Sequence, residues 1–128
     1  MSLRTPLSRV LGLGAAKEGV GHWWMQRVSA VALVLLTLWF IVSLLSLGAL
    51  RYEVMHDWIA RPTNTALLVL LVIALMYHSQ LGVQVVLEDY VPHKPTKLVS
   101  LIANQFVHLA LGAVAIFAVL RTAFGSVA

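Results

Sequence analysis

Two histidines are the residues of this sequence whose chemistry most needs explaining, because both lie within long apolar runs. His78 comes nine residues before Leu87 and His108 ten residues after Leu98, which puts each near the middle of its run. An ionisable side chain at the centre of a membrane span is costly and marks a functional site by default. Histidine nitrogens are common noncovalent ligands of haem iron, and a neutral histidine hydrogen-bonded to a neighbouring helix is the alternative.

The neighbours of His78 favour the haem-ligand interpretation. On a helix with about 100° per residue, Gly82 lies about 40° from His78 and one turn further on, so no side chain covers the surface there. A flat macrocycle needs such a gap. Asp89 is eleven positions beyond His78, which returns it to within about 20° of the same face and about 16 Å along the axis, if the helix continues that far. Tyr90 follows at the membrane surface.

The second axial ligand of a two-histidine haem is left open between His108 and a histidine of a partner chain. Met76 is close to His78 in sequence, but a residue two positions away points to another face of the helix. His108 ends the polar stretch "NQFVH", and we favour a structural role for it as a hydrogen-bonded residue between helices. Gly112 lies one turn after His108 and keeps the ligand role open.

Asp89 and Tyr90 are candidates for binding a small carbonyl compound at the membrane surface, and Arg27 is a candidate for pairing with an anionic group there. The Tyr90 hydroxyl could donate to a carbonyl oxygen, while Asp89 could orient Tyr90 or relay protons. Arg27 could pair with an anionic group, either a haem propionate or Asp89. Each also has a simpler explanation, since acids and phenols commonly mark the water interface and arginines at span ends reach toward lipid headgroups.

Three apolar runs of 23 residues must position these side chains: 28–50, 65–87 and 98–120. Of the 128 residues, 60% are hydrophobic and only 11% are charged, which is the composition of a membrane protein. Each run reaches about 34 Å as a helix, enough to cross a hydrocarbon core of about 30 Å with every backbone group paired. The sequence therefore predicts an all-α membrane protein, with an N-terminal segment, 1–27, before a three-helix transmembrane domain, 28–128.

The distribution of Lys and Arg predicts the orientation of these spans. With three spans, the N-terminus and the 88–97 loop share one side, which carries six of the nine basic residues. Because basic residues are enriched on the cytoplasmic side, we expect a cytoplasmic N-terminus. The positive charge then reflects topology, and we expect no nucleic-acid binding. The six residues are Arg4, Arg9, Lys17, Arg27, Lys94 and Lys97, and the other three are Arg51, Arg61 and Arg121.

Aromatic residues and the absence of cysteine add two further constraints. Trp23 and Trp24 at one end of the first run, and Trp58 in the loop "RYEVMHDWIARP", fit the aromatic belts found at membrane interfaces. The sequence contains no cysteine, which excludes Cys-ligated iron–sulfur clusters and covalently attached c-type haem on this chain.

These residues resemble a known family, the smaller hydrophobic membrane-anchor subunit of succinate dehydrogenase, respiratory complex II. The resemblance covers nearly the whole chain and rests on "GHWWMQRVSAVAL" and, more specifically, on "HSQLGVQVVLEDYV". It implies one half of a heterodimeric, haem-binding anchor bundle, packed against a companion cytochrome b anchor subunit. A flavoprotein subunit and an iron–sulfur subunit would dock on the cytoplasmic or matrix face of a bacterial inner membrane or a mitochondrial inner membrane.

The resemblance also implies a role for each matched residue. His78 resembles an axial ligand of haem b, whose other ligand would be a histidine of the companion anchor subunit. Tyr90 resembles the phenol that hydrogen-bonds a ubiquinone carbonyl, with Asp89 beside it. Arg27, joined by His22, resembles the arginine near the quinone site and the haem propionates. FAD and the iron–sulfur clusters would belong to the partner subunits, so this chain alone would not oxidise succinate.

Three alternatives stay open at this point. A fumarate reductase anchor shares the architecture and runs the chemistry in reverse. A proton-relay or transport subunit would use the two span histidines and Asp89 and would bind no pigment. A purely structural scaffold would use polar side chains such as Ser29 only as contacts between helices. We place the redox anchor first, because neither the relay nor the scaffold needs Gly82 and Asp89 aligned with His78.

Overall fold

The computed structural model of the chain describes residues 19–125, which form helices joined by short connections. Four helices follow one another: α1 (Gly19–Leu45), α2 (Tyr52–Ala60), α3 (Pro62–Tyr90) and α4 (Lys94–Phe124). Three of them, α1, α3 and α4, are long and apolar enough to cross a membrane. The predicted all-α architecture with three spans is confirmed.

The helices begin and end at different residues from the predicted spans. Residues 19–27, which were predicted to precede the transmembrane domain, are the first turns of α1. This helix ends at Leu45 rather than near residue 50, because the chain turns at Ser46, whose hydroxyl donates to the carbonyl of Ser43 at 2.7 Å. Helices α3 and α4 extend three to four residues beyond both predicted ends. Arg4, Arg9 and Lys17 lie outside the described residues.

The segment predicted as a loop between the first two spans contains the short helix α2. Trp58, expected in an interfacial belt, is only 5% exposed and stacks on Trp39 of α1 with ring centroids 5.8 Å apart. The chain then turns directly into α3, where Asn64 donates to the carbonyl of Trp58 at 2.7 Å and Thr65 to that of Ile59 at 2.6 Å. Helix α2 therefore packs against the long helices at the end opposite to Tyr90.

Helix α3 lies at the centre of the described structure, with α1 packed on one side and α4 on the other. Within residues 19–125, α1 and α4 do not approach each other, so the three long helices form an open layer rather than a closed bundle. Most of their apolar side chains remain exposed. Polar residues of α3 can therefore face α1, α4 or either open face of the layer, and the neighbours of each one decide its chemistry.

Candidate functional site

The candidate site is organised along one continuous helix. His78, Gly82, Asp89 and Tyr90 all belong to α3, which ends only at Val91, where the backbone N–H donates to the carbonyl of Leu87 at 3.2 Å. Because the helix continues through Asp89, the expected alignment of His78, Gly82 and Asp89 follows from helical geometry. The site thus begins near mid-membrane and reaches the surface on one side of α3.

His78 is held by a serine of the neighbouring helix. The Ser29 Oγ lies 3.0 Å from His78 Nδ1 and 3.1 Å from the carbonyl oxygen of Gln26. A carbonyl only accepts, so both hydrogen bonds form together when Ser29 donates to Gln26 and His78 donates its Nδ1–H to Ser29. A neutral imidazole protonated on Nδ1 carries its lone pair on Nε2, which makes no hydrogen bond within residues 19–125. The arrangement presents that lone pair to a ligand or a metal.

Two side-chain atoms of α1, on the helix face that carries Ser29, are buried and have no hydrogen-bond partner within residues 19–125. His22 Nε2 and Gln26 Oε1 are both inaccessible to solvent and make no hydrogen bond in the described part of the chain. These residues are four positions apart, and Ser29 follows three positions later, so all three lie along one face of α1. Buried polar atoms are normally satisfied. The two atoms differ in what they need, because Gln26 Oε1 only accepts a hydrogen bond whereas His22 Nε2 donates or accepts according to its tautomer, and a bound water or hydroxyl group satisfies either.

Gly82 lies against this same face of α1. A Cβ at Gly82 would meet Gln26 Nε2 at 3.8 Å, an ordinary contact distance, and within residues 19–125 it would meet no other atom within 4 Å apart from its chain neighbours and the backbone of its own helix. The Gln26 amide borders the surface at Gly82, and the use of that surface as clearance for a macrocycle stays a prediction. Sequence reasoning gave Gln26 no role, although His22, Gln26 and Ser29 are polar residues at helical spacing in or just before an apolar run.

Arg27 does not join the other candidates. Its guanidinium lies over the ring of Trp23, 5.3 Å from the ring centroid, and both side chains are exposed. Among the residues that the structure describes, Arg27 forms no ion pair, so the suggested pair with Asp89 is not found. Arginine on an aromatic face at the start of a span is a favourable cation–π contact. The side chain stays at the surface of α1.

Asp89 and Tyr90 lie exposed at the end of α3, and Tyr90 is 80% exposed. Neither makes a side-chain hydrogen bond within residues 19–125. The adjoining residues are engaged instead: Gln84 donates to the Glu88 carboxylate at 2.8 Å, and Lys97 donates to the backbone carbonyl of Glu88 at 2.6 Å. The carboxylate and the phenol therefore remain available to a ligand or a partner.

His108 is fully engaged between α3 and α4. Its Nδ1 lies 2.8 Å from the carbonyl of Asn104, which can only accept, so the ring proton is on Nδ1 and Nε2 accepts from Ser79 at 3.1 Å. The Asn104 amide donates to the carbonyl of Gln80 at 3.0 Å. Met76 packs on α4 at Gly112, as expected for a different face of α3. These contacts support the interhelical role for His108.

Within residues 19–125, no group of three His, Asp or Glu side chains could hold a bare metal ion. Chemically, the lone pair on His78 Nε2 is suited to be one ligand of a metal whose other ligands come from a cofactor or from another chain.

Comparisons with known proteins cover nearly the full length of this chain. Residues 1–120 match the family described as "Succinate dehydrogenase/Fumarate reductase transmembrane subunit". A "Succinate dehydrogenase hydrophobic membrane anchor subunit" from Paracoccus denitrificans is 32% identical over 123 residues, 96% of this chain and 95% of the relative. Proteins of the same name are 34% identical over 106 residues in Rickettsia typhi (80% and 85% covered) and 32% identical over 88 residues in Rickettsia bellii (69% and 70% covered).

Proposed function

This chain belongs to the succinate dehydrogenase/fumarate reductase transmembrane subunit family, and on that premise we propose that it is a membrane anchor of a succinate:ubiquinone oxidoreductase. In this proposal it carries part of a haem b site and part of the ubiquinone-reduction site. The observation that carries the proposal is the Ser29–His78 hydrogen bond, which leaves His78 Nε2 as a lone-pair donor in an integral membrane protein.

The residues present fit a haem. His78 Nε2 would ligate the iron, and a companion anchor subunit would supply the second histidine, because both ring nitrogens of His108 are already hydrogen-bonded. His22 Nε2, when it carries the ring proton, would suit the carboxylate of a haem propionate, and Gln26 Oε1, which only accepts, would suit water held by that carboxylate. When bound, haem supplies a one-electron redox centre. The space beside Gly82 would leave room for the macrocycle edge.

Ubiquinone reduction would occur at the exposed end of α3. The partner subunits deliver two electrons, two protons arrive from the aqueous side, and ubiquinone leaves as ubiquinol. The Tyr90 hydroxyl would donate a hydrogen bond to a quinone carbonyl oxygen and favour its protonation. Asp89, on the neighbouring position and exposed, would orient the phenol or return a proton to it. Arg27 would bind anionic groups at the same membrane surface if a partner subunit displaced its guanidinium from the Trp23 ring.

The proposal also specifies the partner subunits and the orientation of this chain in the membrane. Succinate oxidation needs the flavoprotein and iron–sulfur subunits, which would dock on the side of the membrane that holds Tyr90. That side also holds Lys94 and Lys97 at the start of α4, so it is the basic, cytoplasmic or matrix side. The open layer of helices leaves two faces on which a companion anchor subunit can pack.

The test uses the complex purified in mild detergent through a tag on this chain. We expect reduced-minus-oxidised spectra with both flavin and b-type haem signals, each responding to succinate. A colourless preparation that contains all the partner subunits would overturn the haem assignment. Comparison of ubiquinone with a low-potential naphthoquinone would separate succinate oxidation from the reverse, fumarate-reducing direction.

A further inference from the structure

We propose that Ser29 is a positioning residue for the haem ligand, holding the His78 ring in the tautomer and the orientation that direct Nε2 at iron. This inference rests on the proposed function, since it concerns the same site. It assigns a chemical role to a residue that the sequence alone presents only as a contact between helices.

The Ser29 hydroxyl is itself fixed by its own helix. Ser29 is 6% exposed, and its hydroxyl donates to the carbonyl of Gln26, three residues earlier on α1. This local bond uses the only hydroxyl proton and turns the oxygen lone pairs toward α3. Ser29 therefore meets His78 as an acceptor, and the only partner it accommodates is an imidazole with its proton on Nδ1.

The resulting chain of hydrogen bonds has one direction. His78 Nδ1–H donates to Ser29, and Ser29 donates to the Gln26 carbonyl, so each bond polarises the next in a low-dielectric environment. A hydrogen bond from the remote N–H of a ligating histidine fixes the ring and raises its basicity toward the metal. A more basic axial ligand stabilises the oxidised iron and lowers the haem midpoint potential.

The second serine–histidine pair of the structure has the opposite polarity and supplies a matched control. Ser79 lies 3.1 Å from His108 Nε2, nearly the same distance as Ser29 from His78, but there the hydroxyl donates because Nδ1 of His108 already donates to a carbonyl. The two pairs join different helices through the same side-chain types. Only Ser29 leaves a ring nitrogen of its histidine for a metal.

The experiment compares Ser29→Ala, Ser29→Thr and Ser79→Ala in the whole complex, purified with its partner subunits. The readouts are the haem midpoint potential, the low-spin haem spectrum and the haem-to-flavin ratio, none of which depends on turnover. Removing such a supporting bond typically weakens metal binding by about 10- to 100-fold. We therefore expect Ser29→Ala to raise the midpoint potential and to lose haem on dilution or washing.

Ser29→Thr should restore both properties, because threonine keeps the hydroxyl and its methyl group can enter the groove of about 350 Å³ that Ser29 lines with Val28 and Ala32. Ser79→Ala should leave the potential and the haem content as in the wild type. If Ser29→Ala does not assemble, Ser29→Cys keeps the volume with a weak acceptor and should shift the potential in the same direction.

The outcomes separate this inference from the function on which it rests. A Ser29→Ala complex with wild-type potential and haem content, alongside a His78→Leu complex that lacks haem, would overturn the role of Ser29 and leave the haem site standing. Equal shifts of the midpoint potential in Ser29→Ala and Ser79→Ala would mean that both serines contribute only to helix packing, and would also overturn the role of Ser29. A wild-type complex that contains all the partner subunits but no haem would overturn the haem assignment and this inference together.

Discussion

Ser79 of α3 and His108 of α4 are joined by a hydrogen bond of 3.1 Å, and the other ring nitrogen of His108 lies 2.8 Å from the carbonyl of Asn104. A histidine with one ring nitrogen bonded to its own helix and the other to the neighbouring helix has a structural role. This contact, together with the Asn104–Gln80 bond, makes the interface between α3 and α4 polar at a depth where lipid offers no hydrogen bonds.

Substituting His108 should therefore affect stability rather than pigment. We expect His108→Leu to lower the stability of the assembled anchor by about 0.5–2 kcal/mol, the range for interhelical hydrogen bonds in membranes. Thermal inactivation of the detergent-solubilised complex, followed with the haem-to-flavin ratio, measures both properties. Ser79→Ala is the control, because it removes only the Nε2 contact and should lie between the wild type and His108→Leu. Loss of haem at wild-type stability would instead make His108 a ligand.

Helical periodicity was enough to place the residues of α3 on common faces. The spacing of His78, Gly82 and Asp89 predicts one face only if the helix is unbroken, and no proline occurs between Pro62 and Val91. The same reasoning separates Met76 from His78. Periodicity works here because a membrane span leaves the backbone no alternative to the helix.

Periodicity could not identify the neighbour that each face meets. The Ser29–His78 contact joins residues 49 positions apart, and the stacking of Arg27 on Trp23 competes with any pair to Asp89. Helix α2 was missed because its nine residues include charged and polar side chains that resemble a loop. Its stability comes from packing Trp58 on α1, which is a tertiary effect.

Replacing His78 should remove the haem while the polypeptide stays in the membrane. In His78→Leu we expect the haem-to-flavin ratio to fall by about tenfold or more, since losing a ligand costs at least as much as losing its support. Pyridine haemochrome and flavin assays on the purified complex provide the ratio. The control is His93→Gln, because His93 lies at the surface and its side chain bonds only Thr96, at 2.8 Å, within residues 19–125. Full haem content in His78→Leu would refute the ligand assignment.

Replacing Tyr90 should separate the two half-reactions. Tyr90→Phe keeps the ring and removes the hydroxyl, so we expect ubiquinone reduction to fall by about 100-fold, within the range for a positioned proton donor. Succinate oxidation with an artificial dye should stay near the wild-type rate, because the dye takes electrons from the partner subunits. The matched control is Tyr52→Phe, which changes an exposed tyrosine, 69% accessible, at the opposite end of the bundle. Equal loss of both activities would indicate defective assembly instead.

Enlarging Gly82 should test the space beside His78. A Cβ at Gly82 makes only an ordinary contact with Gln26, so Gly82→Ala should assemble with nearly full haem, whereas the longer side chain of Gly82→Leu should fill the space that the macrocycle needs. We expect a low haem-to-flavin ratio in Gly82→Leu, measured on complex that has passed size-exclusion chromatography.

General overpacking must be distinguished from this specific effect, since extra methylenes in a packed interface cost about 1–3 kcal/mol wherever they are placed. Gly112→Leu provides the comparison, because a Cβ at Gly112 already approaches Met76 Cγ at 3.3 Å, on the α4 side of α3. It should lower thermal stability at least as much as Gly82→Leu, yet the complex that survives should keep its haem. Equal haem loss in both leucine variants would mean that haem content reports only helix packing, and the space beside Gly82 would then have no special relation to the cofactor.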